Sequence, residues 1–252
     1  MSELFDIKGS VALVTGASRG IGRACVRLLA EAGAIVYACA RSEEALHELA
    51  AETEGVRVCV LDLRDEVMVE ELASEIMEAH GRLDLLVNNA GVLGPRASLD
   101  QTSAEALREV LEVNVVGAFN VLSASYPALR AASSPRVINL SSSVGRKGRA
   151  QWGAYSISKF GVEGLSEIAA DELGEDAVVV TLNPGGTATD MRAEAYPDED
   201  PETLPSATDV AQTIVLLTRQ LRAEHSGGRF SSRALFELAK TSPRGAVELP
   251  AD

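Results

Sequence analysis

Residues that bind metals or form disulfides are scarce in this chain. Its three cysteines, Cys25, Cys39 and Cys59, are widely separated and match neither a zinc nor a redox spacing. They are expected to be buried reduced thiols that pack as small apolar side chains. The three histidines, His47, His80 and His225, are equally scattered, and no metal site is expected. No apolar run approaches the ~20 residues a membrane-spanning helix needs. The opening stretch, MSELFDIKGS, carries acids where a secretion signal would place basic and then apolar residues. A cytoplasmic protein with no membrane partner is the expectation. Basic charge is also in deficit: 37 acids against 23 Lys and Arg give a formal net charge of −14. That balance argues against a general affinity for nucleic acid, whose phosphates demand a basic face. Lysine is the scarcer cation, present only as Lys8, Lys147, Lys159 and Lys240.

What is present is an alternation. The 252 residues are 46% hydrophobic, within the range of globular chains and enough for one large α/β domain. A β-branched run, Val11 to Thr15, reads as a buried strand, and a helix follows from about Ile21 to Ala32. A second strand covers Ile35 to Cys39. GVRVCVLDL and LDLLVNNAG are further strand-like runs around the helical pattern EVMVEELASEIMEAH. PRVINLSSS and AVVVTLNPGG complete the series, with helices near Ala104–Leu129 and Trp152–Leu173. Apolar strands alternating with helices predict a parallel sheet covered on both faces. No Pro/Gly/Ser-rich linker interrupts the chain, so residues 1–252 read as a single domain. The acidic, proline-punctuated YPDEDPETLP (Tyr196–Pro205) reads either as a surface loop or as part of a substrate lid near 186–206.

TGASRGIG places Gly16, Gly20 and Gly22, with Ser18, Arg19 and Ile21 between them, at the exit of the first strand and the entry to a helix. Glycines there let backbone approach a pyrophosphate, and a helix N-terminus offers free N–H groups. The position in the first strand–helix unit is what dinucleotide binding requires. At the end of the second strand, where an acid would hold an adenosine ribose, stand Ala40, Arg41 and Ser42. Two guanidiniums, Arg19 and Arg41, with the Ser42 hydroxyl suit a 2′-phosphate, so NADP(H) is expected in preference to NAD(H).

In WGAYSISKF, Tyr155 and Lys159 stand four residues apart. On a helix they are neighbours, which fits a plain surface pair as well as a proton donor and the cation that tunes it. A nearby ammonium would lower a phenol's pKa from its usual ~10.

TGASRGIG, LDLRD, NNAG, VNVVG around Asn114, INLSSSVG, YSISK and NPGGTAT occur in an order that resembles the classical short-chain dehydrogenase/reductase family along nearly the whole chain. The resemblance implies one Rossmann-type, three-layer α/β domain with a doubly wound, mainly seven-stranded parallel sheet. It also implies a catalytic tetrad of Asn114, Ser142, Tyr155 and Lys159. Asp62 and Leu63 correspond to the adenine-contacting segment, and Asn88, Ala90 and Gly91 to the segment on the adenosine half. Pro184, Gly185, Thr187 and Thr189 correspond to the loop flanking the nicotinamide, with Tyr155 and Lys159 also reaching the cofactor. The activity implied is reversible NADPH-dependent reduction of a ketone or aldehyde, a 3-oxoacyl thioester or small ketone being possible substrates. A homodimer or homotetramer is expected.

Ser142 would hold the substrate oxygen, and Asn114 would hold a water linking Lys159 to solvent. Two departures stand out. Gly186 and Thr187 occupy positions that are usually bulky, and SGGRFSSRALFELAK replaces the usual glycine-rich ending. WGAYSISKF and NPGGTATDMR also look like a bacterial subgroup with unassigned substrates. Trp152 either lines the substrate mouth or anchors its helix. Arg146, Lys147 and Arg149 read as a solvated loop in preference to a run that attracts an acidic substrate or carrier, and Met191 and Arg192 read as lid residues. The competing readings are a non-catalytic NADP(H)-binding sensor, which loss of Tyr155 or Lys159 would favour, and a lyase or epimerase, which would carry a longer C-terminal domain.

Overall fold

The strand-like runs and the helical patterns fold into three layers. The computed structural model describes residues 4–241 and Leu249; the remainder of the expected 1–252 domain lies outside the described residues. Seven strands form one sheet in the order β3-β2-β1-β4-β5-β6-β7, where β1 is Val11–Thr15, β2 Ile35–Ala40, β3 Val56–Val60, β4 Leu85–Asn88, β5 Arg136–Leu140, β6 Val178–Asn183 and β7 Arg229–Ser231. Every pairing is parallel, for example Val11↔Ile35 between β1 and β2 and Val14↔Val87 between β1 and β4.

A strand's side chains alternate between faces, so β1 feeds two cores. Ala12 and Val14 join Cys25, Val26 and Leu29 of α1 (Gly20–Glu31) and Ile214 and Leu217 of α8 (Ala207–Gln220) on one face. Val11 and Leu13 join Val69, Leu72 and Ile76 of α3 (Glu66–His80) and Leu122 and Leu129 of α5 (Gly117–Ala131) on the other. Burial on both faces is why the inner strands read as apolar runs. The remaining helices are α2 (Glu43–Glu52), α4 (Ala104–Leu111), α6 (Gly153–Glu172), α7 (Asp190–Ala195) and α9 (Ser232–Thr241). The segment expected to replace the glycine-rich ending thus supplies β7 and α9.

Local signals set the boundaries. Asp65 caps α3 by accepting from the Met68 N–H, and Gly81 ends that helix in the left-handed region. Ser206 and Asp209 form a capping box at the start of α8. The helix expected over Ala104–Leu129 is instead split into α4 and α5 by a π turn at Glu112–Val116. Such turns are rare and concentrate at functional sites; this one carries Asn114. Cys25 and Cys39 are buried, whereas Cys59 is only half-buried, on the outermost strand β3. Burial still pushes the Cys25 and Cys59 thiols up to about 12.

The excursion after β6 leaves and rejoins the body at one point. The Ala188 N–H donates to the Pro205 carbonyl at 2.9 Å, and Ala188 and Ser206 form an isolated bridge. Among the described residues no helix is long and apolar enough to cross a membrane.

Candidate active site

The strand order reverses between β1 and β4, and the segments leaving the C-terminal ends of these strands open a crevice there. Gly16–Gly22 follow β1, Arg41 and Ser42 follow β2, Asp62 and Leu63 follow β3, Asn88 ends β4 with Ala90 and Gly91 beyond it, Ser142 follows β5, and Pro184–Thr189 follow β6. The topology therefore brings these predicted segments to one end of the sheet.

The glycine turn is built so tightly that only glycine fits. A β-carbon on Gly22 would lie 2.2 Å from the Gly16 carbonyl oxygen, and one on Gly16, whose φ is +66°, would lie 2.8 Å from Ala90 Cα. Asn89 holds the turn against β4: its Nδ2 donates to the carbonyls of Thr15 (2.9 Å) and Gly16 (3.2 Å). The Thr15 hydroxyl accepts from the N–H groups of Asn89 and Ala90. Neither Thr15 nor Asn89 was singled out from the sequence, although Asn89 stands inside NNAG. The Arg19 side chain at the N-cap makes no capping bond to α1, which leaves the first N–H groups of the helix to an anion. These features fit a dinucleotide pyrophosphate.

The residues expected at the adenosine end are arranged less freely. Arg41 is exposed, 3.9 Å from Asp62. Asp62 is gripped mainly by Arg64, at 2.6 Å, and that guanidinium holds its carboxyl below the usual range. Leu63 is buried, and its carbonyl accepts from Asn120 at 3.0 Å. Asn88 is buried and donates to the Ala118 carbonyl, its Oδ1 left without a partner. Exposed Arg19 pairs with Asp190 at 3.1 Å.

Each residue of YSISKF has a place. Ser156 donates to the Val144 carbonyl, Ser158 donates to the Tyr155 carbonyl, and Ile157 and Phe160 point outward. That leaves Tyr155 and Lys159 facing the crevice side of α6. The Ser142 hydroxyl lies near enough to the Tyr155 phenol to lower its pKa, and its Oγ accepts weakly from the Val144 N–H at 3.4 Å. Lys159 Nζ donates to the Leu140 carbonyl at 2.7 Å and lies 5.6 Å from the Tyr155 ring centre. The turn carrying Ser142 sits directly against α6, since a β-carbon on Gly145 would lie 2.7 Å from Lys159 Cβ.

Two expectations about this group change. The phenol was expected to have a lowered pKa; burial instead pushes it up to about 12, with only the Ser142 hydroxyl opposing. Burial also lowers Lys159 to about 8, against the raising influence of Glu163. Second, the Asn114 amide is spent on protein. Its Oδ1 accepts from the Val92 N–H at 2.7 Å, and its Nδ2 donates to the Val92 carbonyl and Ser158 Oγ, both at 2.9 Å. Asn114 braces the loop after β4 against α6.

Arg146 corrects the reading of its run as a solvated loop. Only Lys147 and Arg149 are exposed; Arg146 is half-buried and donates to Glu163 at 3.1 Å, Thr181 at 3.2 Å and the Phe230 carbonyl at 3.2 Å. Glu163 is the hub: its side chain is 5% exposed and also accepts from Ser141 and Thr181 and pairs with Arg229 at 3.3 Å. This buried carboxylate, one turn beyond Lys159, was not found from the sequence.

Trp152 precedes α6, is 7% exposed, and packs against Tyr155 and Tyr196 at 5.9 and 5.8 Å between ring centres. In the loop after β6, Thr187 is buried and bonds the Pro184 carbonyl, Gly185 has φ of +75°, and Thr189 caps α7. The space left by Gly186 is taken by Arg192 and Leu204, to which a β-carbon there would come within 3.4 Å. Arg192 is itself held by Glu199, at 2.6 Å.

The model of the short chain dehydrogenase family matches residues 10–200. YciK, an uncharacterized oxidoreductase of Escherichia coli K12, is 39% identical over 230 residues, covering 88% of this chain and 91% of that one. An NADPH-dependent pterin aldehyde reductase of Arabidopsis thaliana is 37% identical over 187 residues, 73% of this chain and 77% of the relative. The crystal structure of a short chain dehydrogenase from Escherichia coli CFT073, complexed with NADPH, matches with a TM-score of 0.86 at 36% identity, covering 90% of this chain and 98% of that one. The glycine cradle, the tyrosine–lysine turn and this likeness along most of the chain lead to one conclusion: the chain belongs to the short-chain dehydrogenase/reductase family and is an NAD(P)-dependent oxidoreductase.

Proposed function

We propose that the protein reduces a ketone or aldehyde to an alcohol, reversibly, using NADPH in preference to NADH, with Tyr155 as the proton donor. The observation that carries this reading is Lys159 Nζ held 5.6 Å from the centre of the Tyr155 ring, with the Ser142 hydroxyl acting on the same phenol. Gly16, Ser18, Gly20, Ile21 and Gly22 would hold the pyrophosphate, Arg19, Arg41 and Ser42 the 2′-phosphate, and Asp62, Leu63, Asn88, Ala90 and Gly91 the adenosine half. Pro184, Gly185, Thr187 and Thr189 would flank the nicotinamide, with Lys159 on its ribose. When bound, NADPH supplies the hydride.

The chain's own residues manage position and charge. Ser142 Oγ orients the carbonyl oxygen toward Tyr155. The phenol, protonated at neutral pH by its burial, gives up its proton as that oxygen gains charge. Lys159 then stabilises the phenolate through its ammonium, and Asn114 keeps the loop and α6 in register around them. Segment 186–206 acts as the lid, supported by its packing of Tyr196 on Trp152 beside Tyr155. A 3-oxoacyl thioester or a small ketone or aldehyde fits this reading, as does an aldehyde on a planar ring like that in the name of the Arabidopsis relative. The intact Tyr155–Lys159 pair weighs against a non-catalytic sensor. A cytoplasmic homodimer or homotetramer belongs to the same reading, supported by the exposed Phe119, Ile157, Phe160 and Ile168 on α5 and α6.

The test is cofactor consumption across oxoacyl thioesters, diketones, quinones and sugars, with NADPH and NADH compared. Tyr155→Phe is expected to lose about 10²–10⁴-fold in rate while binding NADPH normally. Near-normal reduction by that variant, or equal use of NADH by the native enzyme, would refute the respective half of the proposal.

A further inference from the structure

Beside Trp152, which packs on Tyr155, lies an exposed cation that the reaction above does not use. Arg96, on the loop after β4, places its guanidinium carbon over two rings at once, 4.8 Å from the centre of Trp152 and 4.8 Å from that of Tyr196. One Nη donates to the Ala195 carbonyl at the end of α7. A guanidinium has five N–H donors in one plane, and this one is fixed over two rings with one donor accounted for. Three other arginines pair with acids: Arg192 with Glu199, Arg146 with Glu163 and Arg19 with Asp190. Among the described residues Arg96 alone of these four pairs with no carboxylate, in a chain whose acids outnumber Lys and Arg by 37 to 23.

We propose that Arg96 forms a carboxylate-binding subsite of the substrate pocket, so that the substrate is a carbonyl compound carrying an acid group. This rests on reading the crevice at Tyr155 as the reaction site. Trp152 connects the two ends, its ring centre 5.9 Å from that of Tyr155 and 4.8 Å from the guanidinium carbon, which puts the cation within about 11 Å of the Tyr155 ring centre. A carbonyl and a carboxylate on opposite sides of one ring, or a few bonds apart on a chain, bridge that interval. The side chains packed with Trp152 and Tyr155 are apolar or aromatic, among them Leu93, Val144, Met191 and Tyr196. The remaining in-plane N–H groups of Arg96 match a carboxylate's two oxygens. Stacking fixes the guanidinium before the ligand arrives, which reduces the ordering cost of binding.

Trp152 is the sole tryptophan, so its emission reports on the rings beneath Arg96. Benzoate and benzamide, matched in shape and differing in charge, are titrated into the full protein and followed by that emission. Benzoate is expected to bind at least ~10-fold more tightly, Arg96→Gln to abolish the difference, and Arg96→Lys to keep part of it. Equal binding of the two probes by the native protein overturns the subsite, whatever the variants do. So does an undiminished benzoate preference in Arg96→Gln, which would leave Arg96 only as a tie between its loop and α7. The titration needs no turnover. A benzoate preference in a protein that reduces no carbonyl would sink the reductase reading and spare the subsite, and the reverse pattern would do the opposite.

Discussion

Glu163→Gln removes a buried charge while keeping the shape of the side chain. Glu163 stands one helical turn after Lys159, so the two side chains share a face of α6. Two charges ~7 Å apart in a medium of effective dielectric ~20 interact by about 2 kcal/mol. Arg146 and Arg229, both on the same carboxylate, offset part of this. A net loss of about 1.4 kcal/mol, one pK unit, is the working magnitude. Lys159 titrates at about 8 with Glu163 in place, so in the variant it should titrate near ~7.

Lysine is charged below its pKa, so activity that needs the ammonium falls as pH rises through that value. The native enzyme should lose kcat/KM for NADPH, which reports the free enzyme, as pH rises past about 8. The variant should lose it about one unit lower, leaving roughly fivefold less activity than native at pH ~8 and nearly equal activity at pH ~6. The assay is the pH dependence of NADPH oxidation at constant ionic strength. An equal loss at both pH values would refute the electrostatic role and leave Glu163 as a purely structural hub. A cost of about 2 kcal/mol in stability is expected in either case, since two partly exposed guanidiniums lose their partner.

Gly22→Ala would force a β-carbon to 2.2 Å from the Gly16 oxygen and 2.6 Å from Asn89 Nδ2, displacing backbone on both sides of the cradle. Stability should fall by about 3 kcal/mol and NADPH affinity by at least ~10-fold, read by thermal unfolding and by titration with NADPH; a variant of native stability and affinity would show that the turn yields. Lys159→Met should abolish turnover yet stabilise the fold at neutral pH by on the order of 3 kcal/mol, because a buried ammonium is removed. The native pKa of Lys159, about 8, lies below the unfolded 10.5. The unfolded chain therefore binds more protons between those values, and this contribution to native stability rises with pH across that window. Denaturant unfolding of both proteins should show their difference shrinking from pH ~8 to ~10.5, and a constant difference would contradict it.

The sheet was legible because its strands are buried on both faces and separated by helices with strong amphipathic patterns. The glycine turn was legible because a backbone approach as close as Gly22 to Gly16 admits one residue type. The π turn at Glu112–Val116 was not, since no glycine or proline breaks the periodicity of EVNVV; the extra residue is imposed by Asn114 reaching both Val92 and Ser158. Arg146 looked solvated because its partners, Glu163, Thr181 and Phe230, are distant in sequence and meet it only through the β5–β6–β7 order. The stack of Arg96 on Trp152 and Tyr196 was hidden for the same reason. The pKa of Tyr155 was misjudged because spacing shows which charges are near and says nothing of how dry the site is.

The excursion after β6 is pinned at its base, where Ala188 meets Pro205 and Ser206. A segment whose two ends already touch behaves as a replaceable cassette. Doubling the length of such a loop adds only about 0.6 kcal/mol of closure entropy, and the seven strands are not asked to move. The segment proposed as the lid can thus be rewritten in evolution, or exchanged in the laboratory, at little entropic cost to the fold.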